Sequence, residues 1–257
     1  MRCKAGLFSR YQAFRPTSLS GLTGWFDASD SATLFTATTG GSAVAADGTV
    51  ARFEDKSGSA RHMTQATTAN RPARKTSIKN GLDVLRFDGS NDRLFTSALF
   101  TTFVSASAST VFVVANAATV STNSATPNAN ATLLGDDGGG FHGFFSCRSN
   151  GTALAFARNT SAVTVSSTAN YTATNWAVFS ALHDGTNLTS RINGTDATSA
   201  ALTNRSFATN TAMALGANQP FSAYFNGDVG EVVVYNVALS TTNRDTVETY
   251  LRDKWAI

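Results

Sequence analysis

Seventeen acidic side chains are the first candidates for chemistry in this 257-residue chain. Hydrolysis of a glycosidic bond needs two carboxyl groups about 5 to 10 Å apart, one on each side of the scissile bond. On a β-strand the direct way to set them there is at i, i+2 or i+4, where side chains share a face. No segment reads E-x-D-x-E. Glu54 and Asp55 are adjacent and Asp228 and Glu231 lie three apart, spacings that put the two groups on opposite faces of a regular strand. Retaining or inverting hydrolysis is therefore not expected, and the chain reads as non-enzymatic. His62, His142 and His183 stand alone, with no H-x-x-x-H or C-x-x-C partner, so neither a zinc site nor a catalytic triad is indicated. Each reads as a surface or loop residue.

Asp88, Asn91 and Asp92 form a carboxylate-rich cluster of the kind that holds calcium, but D-G-x-N-D is also what a tight turn selects, and the turn is the preferred reading. Asp27 and Asp30 read likewise. Two features are left. One is Asp136-Asp137-Gly138-Gly139-Gly140, an acidic glycine-rich loop running into Phe141 and His142. The other is the start of the chain, where Arg2, Lys4, Arg10 and Arg15 meet no Asp or Glu within the first twenty residues and alternate with Phe8, Tyr11 and Phe14. Residues 1–20 read as an N-terminal arm whose aromatics either fold back on the domain or dock into another protein.

The elements that must position these groups are announced by turn chemistry. Asp47-Gly48, Asn80-Gly81, Asp88-Gly89, Asn150-Gly151, Asp184-Gly185, Asn193-Gly194 and Asn226-Gly227 all accept the positive φ of hairpin turns. Between them strands are predicted at 50–53, 84–87, 110–115, 132–135, 143–147, 153–158, 176–182, 188–192, 212–216 and 229–235. The clearest hairpin is Trp176 to Gly194: Trp176, Val178, Ser180 and Leu182 share one face, Leu188, Ser190 and Ile192 another, with Asp184-Gly185 between them. The end departs from this pattern. Ser240 can cap a helix whose Val247, Tyr250, Leu251 and Trp255 fall on one stripe. So many short strands without crossover helices predict an all-β, two-sheet antiparallel sandwich at 21–257, closed by a short C-terminal helix. Trp25, Phe53, Phe87, Trp176 and Trp255 are expected to pack in it rather than to serve as sugar platforms.

Composition agrees. Charged residues are 14% of the chain and hydrophobic ones 42%, too apolar for disorder, and Ser plus Thr make about a quarter, a mixture that disfavours helices. Twenty basic against seventeen acidic residues is too even for a nucleic-acid binder. No stretch approaches the roughly 18 apolar residues of a membrane helix, no secretion signal is recognised at the start, and Cys3 and Cys147 read as free thiols.

Leu22-Thr23-Gly24-Trp25-Phe26-Asp27-Ala28-Ser29-Asp30, Phe53-Glu54-Asp55-Lys56-Ser57-Gly58 and Leu85-Arg86-Phe87-Asp88-Gly89-Ser90-Asn91-Asp92 resemble, in order, the opening blocks of the concanavalin A-like lectin/glucanase superfamily in its laminin-G-like form. Gly227 to Asn236, then Ala238-Leu239-Ser240 and the helix through Lys254-Trp255, resemble its last core strand and final helix. One departure is Asn243, where relatives often carry an acidic residue. The resemblance implies a jelly roll. It also implies calcium or glycan contacts on loops at a sandwich edge, which makes Asp136 and Asp137 the candidates for metal and Asp136, Asp137 and His142 those for glycan; no other cofactor is expected.

Within that superfamily the chain resembles bacteriophage virion accessory proteins: capsid decorations, head fibres or tail-associated domains. The expectation is a structural protein made in the host cytoplasm and released by lysis. Arg2, Lys4, Phe8, Arg10, Tyr11, Phe14 and Arg15 would tether it to other virion proteins, and host surface glycan is a further expected partner. Homo-oligomers, trimers among them, are the expected assembly; nucleic acid and membrane insertion are not expected. The alternative is a free carbohydrate-binding module or bacterial surface adhesin.

Overall fold

The computed structural model describes residues 14–105, 107–118, 131–136, 143–147, 152–158, 164–203, 212–217 and 224–257. Among them the strands follow in chain order as β1 (Leu22–Asp27), β2 (Leu34–Phe35), β3 (Arg52–Phe53), β4 (Met63–Thr64), β5 (Ala73–Lys79), β6 (Leu82–Asp88), β7 (Leu94–Leu99), β8 (Ser109–Ala117), β9 (Ala131–Asp136), β10 (Gly143–Cys147), β11 (Thr152–Arg158), β12 (Thr164–Asn170), β13 (Trp176–His183), β14 (Asn187–Ile192), β15 (Thr195–Ala201), β16 (Ala212–Leu215) and β17 (Asn226–Tyr235). Helix α1 (Thr241–Trp255) closes the fold.

Two antiparallel sheets form the sandwich. One runs β15-β14-β13-β8-β17-β6-β5, the other β12-β11-β10-β9-β16-β7-β4-β3-β2. Strand β17 organises the first: along one side it pairs with β8, and along the other its residues 226–229 pair with β6 and its residues 231–235 with β1. Val111, Val113 and Ala115 of β8 and Val229, Val232 and Val234 of β17 enter the core between the sheets with Phe26, Phe53 and Phe87. Phe112 and Val114 of β8 and Val233 and Tyr235 of β17 point the other way, into a second cluster with Trp25, Val247, Leu251 and Trp255. Both faces of these two strands are buried, so they read in sequence as unbroken apolar runs rather than as alternation.

Helix α1 covers that outer face. Ser240 caps it, its hydroxyl accepting from the Asn243 N–H at 3.3 Å, and Ala256 ends it in a left-handed conformation with its N–H on the Arg252 carbonyl. Burying a large apolar side chain contributes on the order of 1.5–3 kcal/mol before entropy, so Val247, Leu251 and Trp255 make the helix part of the fold.

The described part of the expected arm, residues 14–20, lies against the domain. Pro16 is buried in a short 3-10 turn (Pro16–Ser18), the Tyr235 hydroxyl donates to its carbonyl at 2.9 Å, and the Phe14 ring packs 5.6 Å from that of Tyr250. Phe14 thus folds back, one of the two alternatives its sequence left open. Arg2, Lys4, Phe8, Arg10 and Tyr11 lie outside the described residues.

Candidate functional site

The densest group of ionisable side chains is assembled by three sequence blocks. Strand β1 supplies Trp25 and Asp27, and β17, its partner, sets Glu231 directly opposite Asp27. The 54–58 loop is strapped to β1 because Trp25 donates its N–H to Asp55 Oδ1 at 3.0 Å and accepts from the Lys56 N–H at 2.7 Å, which carries the Lys56 side chain over Asp27. The last two turns of α1 add Tyr250, Lys254 and Trp255.

Glu231 is fully buried. Its Oε1 accepts from Trp25 Nε1 at 2.7 Å and the Tyr250 hydroxyl at 2.9 Å, and its Oε2 from Lys254 Nζ at 2.7 Å and Trp255 Nε1 at 3.0 Å. Four donors fill the roughly four lone-pair sites of a carboxylate. Asp27 is similarly engaged, with Lys254 Nζ at 2.7 Å, Lys56 Nζ at 3.0 Å and the Ser29 hydroxyl at 2.6 Å. Burial pushes the Glu231 carboxyl up, and the Asp27 charge adds to it. Burial works against the Asp27 charge too, but Lys254, then Lys56, and the Ser29 hydrogen bond outweigh it and hold Asp27 below the usual carboxylate range. Lys56 is also opposed by burial, and Asp27 and Asp30 more than offset that, so its pKa is raised.

An open cleft of about 570 Å³ lies over this network, bounded by Phe14, Trp25, Asp27, Asp30, Lys56 and Tyr250, with exposed Arg15 and Thr17 also lining it. Asp27 lines this cleft beside the buried Glu231, and two neighbouring carboxyl groups have the outline of an acid–base pair. The lone pairs of Glu231, however, are taken by the protein's own donors, and the cations beside the two groups are shared between carboxylates: Lys56 bridges Asp27 and Asp30, and Lys254 bridges Asp27 and Glu231.

The three-residue spacing of Asp228 and Glu231 does not place them on opposite faces. Strand β17 carries a bulge between Val229 and Glu231, where Asp228 faces Asn116 and Glu231 faces Val114 of β8, two residues of one face. The extra residue, Gly230, restores the alternation, a correction invisible to a regular period of two. Both groups are nonetheless committed to partners, since Arg86 holds Asp228 through Nε at 2.7 Å and Nη2 at 2.9 Å. Glu54 pairs with Arg52 at 3.1 Å, and Asp55 accepts from Trp25, Ser57 and Arg61 backbone N–H groups.

Other expected sites fall as follows. Asp88 Oδ1 accepts from the Ser90 and Asn91 N–H groups and Asp92 Oδ2 from that of Asp88, the hydrogen bonds of a turn. Among the described residues no three His, Cys, Asp or Glu gather where they could hold a metal ion. Asp136 ends β9 opposite Met213; its side chain, Asp137 and His142 lie outside the described residues, as does Cys3. His183 is not a surface residue: it ends β13 fully buried, its Nε2 bonded to the Leu202 carbonyl at 2.9 Å, because Leu202 after β15 folds over it. His62 sits on a loop, as expected, and accepts from the Asp55 N–H through Nδ1. Trp25, Phe53, Phe87 and Trp255 are buried and half-buried Trp176 stacks on Trp255 at 6.1 Å, as expected of packing residues.

A laminin-G model described as the concanavalin A-like lectin/glucanases superfamily matches residues 95–243, more than half of the chain. The chain belongs to that superfamily. Its sandwich is similar to a solved Trypanosoma rangeli sialidase, at 14% identity over 92% of this chain and 33% of that one with a TM-score of 0.59. It is also similar to the binding domain of Paraclostridial Mosquitocidal Protein 1, at 13% identity over 91% of this chain and 52% of that one, TM-score 0.60. The binding domain of botulinum neurotoxin serotype D matches at 11% identity over 89% of this chain and 50% of that one, TM-score 0.57. This lectin-like jelly roll thus spans between a third and about half of the length of these structures, and at such identities the likeness is one of fold. No curated protein matches the chain.

Proposed function

We propose that the chain is a non-enzymatic, glycan-binding attachment domain of a bacteriophage particle, fastened through its N-terminal segment as a capsid decoration, head fibre or tail-associated protein. The observation that carries the non-enzymatic part is the saturation of Glu231 by four internal donors beside an Asp27 held by two lysines, which commits both groups to internal partners and leaves Glu231 no lone pair to offer a glycosidic oxygen. The attachment part is supported by the basic, aromatic sequence of residues 1–15 and by the packing of Phe14 on Tyr250. Low charge, abundant Ser and Thr, and two cysteines suit a surface made in a reducing cytoplasm and exposed after lysis. Two of the fold relatives are themselves binding domains of larger proteins, which favours a free carbohydrate-binding module or adhesin as the second reading.

Mass spectrometry of purified particles, with and without deletion of residues 1–13, tests the attachment. The expected result is the chain in particles and a folded, unincorporated domain after deletion. Incorporation of the truncated chain removes the tether, and absence of the full chain from particles leaves the free module. A glycan array read with and without calcium, repeated with Asp136→Ala and Asp137→Ala, tests whether the acidic loop takes part.

A further inference from the structure

A second cleft, of about 330 Å³, opens on the helix-bearing sheet where Arg86, Asn116, Thr174, Asn226 and Asp228 converge. We propose that it is a binding site for a neutral pyranose sugar. The inference rests on the glycan-binding reading and adds the place and the kind of sugar.

Asn116, Asp228 and Arg86 are successive cross-strand neighbours on β8, β17 and β6, so a single row of the sheet presents an amide, a carboxylate and a guanidinium side by side. Arg86 grips Asp228 with two of its nitrogens and, with 46% of its side chain exposed, has Nη1 without a partner among the described residues. Asn116 uses its amide nitrogen on the Thr174 carbonyl at 3.1 Å and keeps its oxygen free, and the Asn226 amide has no partner among the described residues. The cleft thus offers both donors, from Arg86 and Asn226, and acceptors, from Asn116 and Asn226, which suits sugar hydroxyls, since each both donates and accepts. The guanidinium and carboxylate cancel, so no net charge is offered to an anionic ligand.

The cleft is also held stiffly. Thr174 is a β-branched residue at φ 68°, fixed there by its N–H on the Ala117 carbonyl at 2.8 Å and by the Asn116 amide. Gly227, at φ 154°, lets β17 approach β8 so closely that a Cβ on it would lie 2.1 Å from the Asn116 carbonyl oxygen. Strain of this kind persists where the surroundings over-determine it, and it gathers at ligand sites.

The test is a microarray of neutral hexose and N-acetylhexosamine oligosaccharides beside sialylated and uronate-containing ones, probed with the full chain and with the Arg86→Ala and Asn226→Trp variants. Arg86→Ala strips a carboxylate of its partner and can unfold the edge, so Asn226→Trp, which fills the cleft and spares the Arg86–Asp228 pair, is decisive. The expected result is binding to a neutral saccharide that falls at least about tenfold in both, through loss of one charge-assisted hydrogen bond in Arg86→Ala and through steric exclusion in Asn226→Trp, with the thermal midpoint of Asn226→Trp unchanged. Undiminished binding by Asn226→Trp overturns the cleft and leaves the glycan-binding reading standing. Binding confined to acidic glycans overturns the neutral sugar. No signal from the full chain overturns the reading and the inference together.

Discussion

Gly230 lies directly beneath the indole of Trp255: a methyl group added to it would meet three carbons of the six-membered ring at 2.7 to 2.9 Å. The residue that makes the β17 bulge is therefore also the seat of the helix's last aromatic side chain. Gly230→Ala should displace the indole at a cost of about 1–3 kcal/mol. Urea unfolding followed by tryptophan fluorescence measures it; an unshifted midpoint would mean that the indole does not rest there.

Glu231→Gln replaces an acceptor-only group with an amide whose nitrogen faces tryptophan, tyrosine and lysine donors, and it leaves Lys254 with one carboxylate fewer. Removing one partner of a buried ion pair costs about 3–5 kcal/mol. The expected outcome is a large loss of stability with no hydrolysis of glucans or galactans before or after the change. Turnover by the unaltered chain that vanishes in the variant would restore an enzymatic reading.

Asp92 is pushed up from 3.8 to about 6, first by burial and then by the Asp88 charge. A carboxyl whose folded pKa is raised binds its proton more tightly when folded, so its contribution is most favourable below the unfolded value and is lost as pH climbs from about 4 through 6. Asp92→Asn should remove that slope and leave the domain on the order of 2 kcal/mol more stable than the parent at pH 7. Denaturation midpoints at pH 4, 5, 6 and 7 decide it; parallel pH profiles for the two chains would refute the assignment.

Asn243 stands three residues after the Ser240 cap, and the first turn of α1 carries no acidic residue. Asn243→Glu can reach back to the Ser240 N–H while placing negative charge at the positive end of the helix. A gain of about 0.5 kcal/mol is expected, or about 1–2 °C in the thermal midpoint. Calorimetry at low ionic strength is the sensitive measurement, and a lower midpoint would contradict the capping geometry.

Much of the architecture was legible because its signals are local. The Asp184-Gly185 hairpin, the apolar runs of β8 and β17, and the Ser240 cap each depend on neighbours a few residues apart. Strand β5 is not legible because Ala73–Lys79 carries little apolar alternation at a sheet edge, and β2 and β4 are only two residues long, whereas β3 falls within the strand predicted at 50–53. The carboxylate network was harder to foresee. Trp25, Asp27, Lys56, Glu231 and Lys254 were all quoted in blocks that mark the fold, but their meeting depends on pairing across some two hundred residues and on one bulge. The burial of His183 is not legible for the same reason, since its hydrogen-bond partner Leu202 lies after β15.

Phe14 against Tyr250 and Pro16 against Tyr235 fasten the segment before β1 to the terminal helix and to β17. A pull applied at Phe14 therefore loads the terminal helix and β17 before it loads β1. Mechanical load would have to shear those contacts sideways instead of unzipping a hairpin one rung at a time.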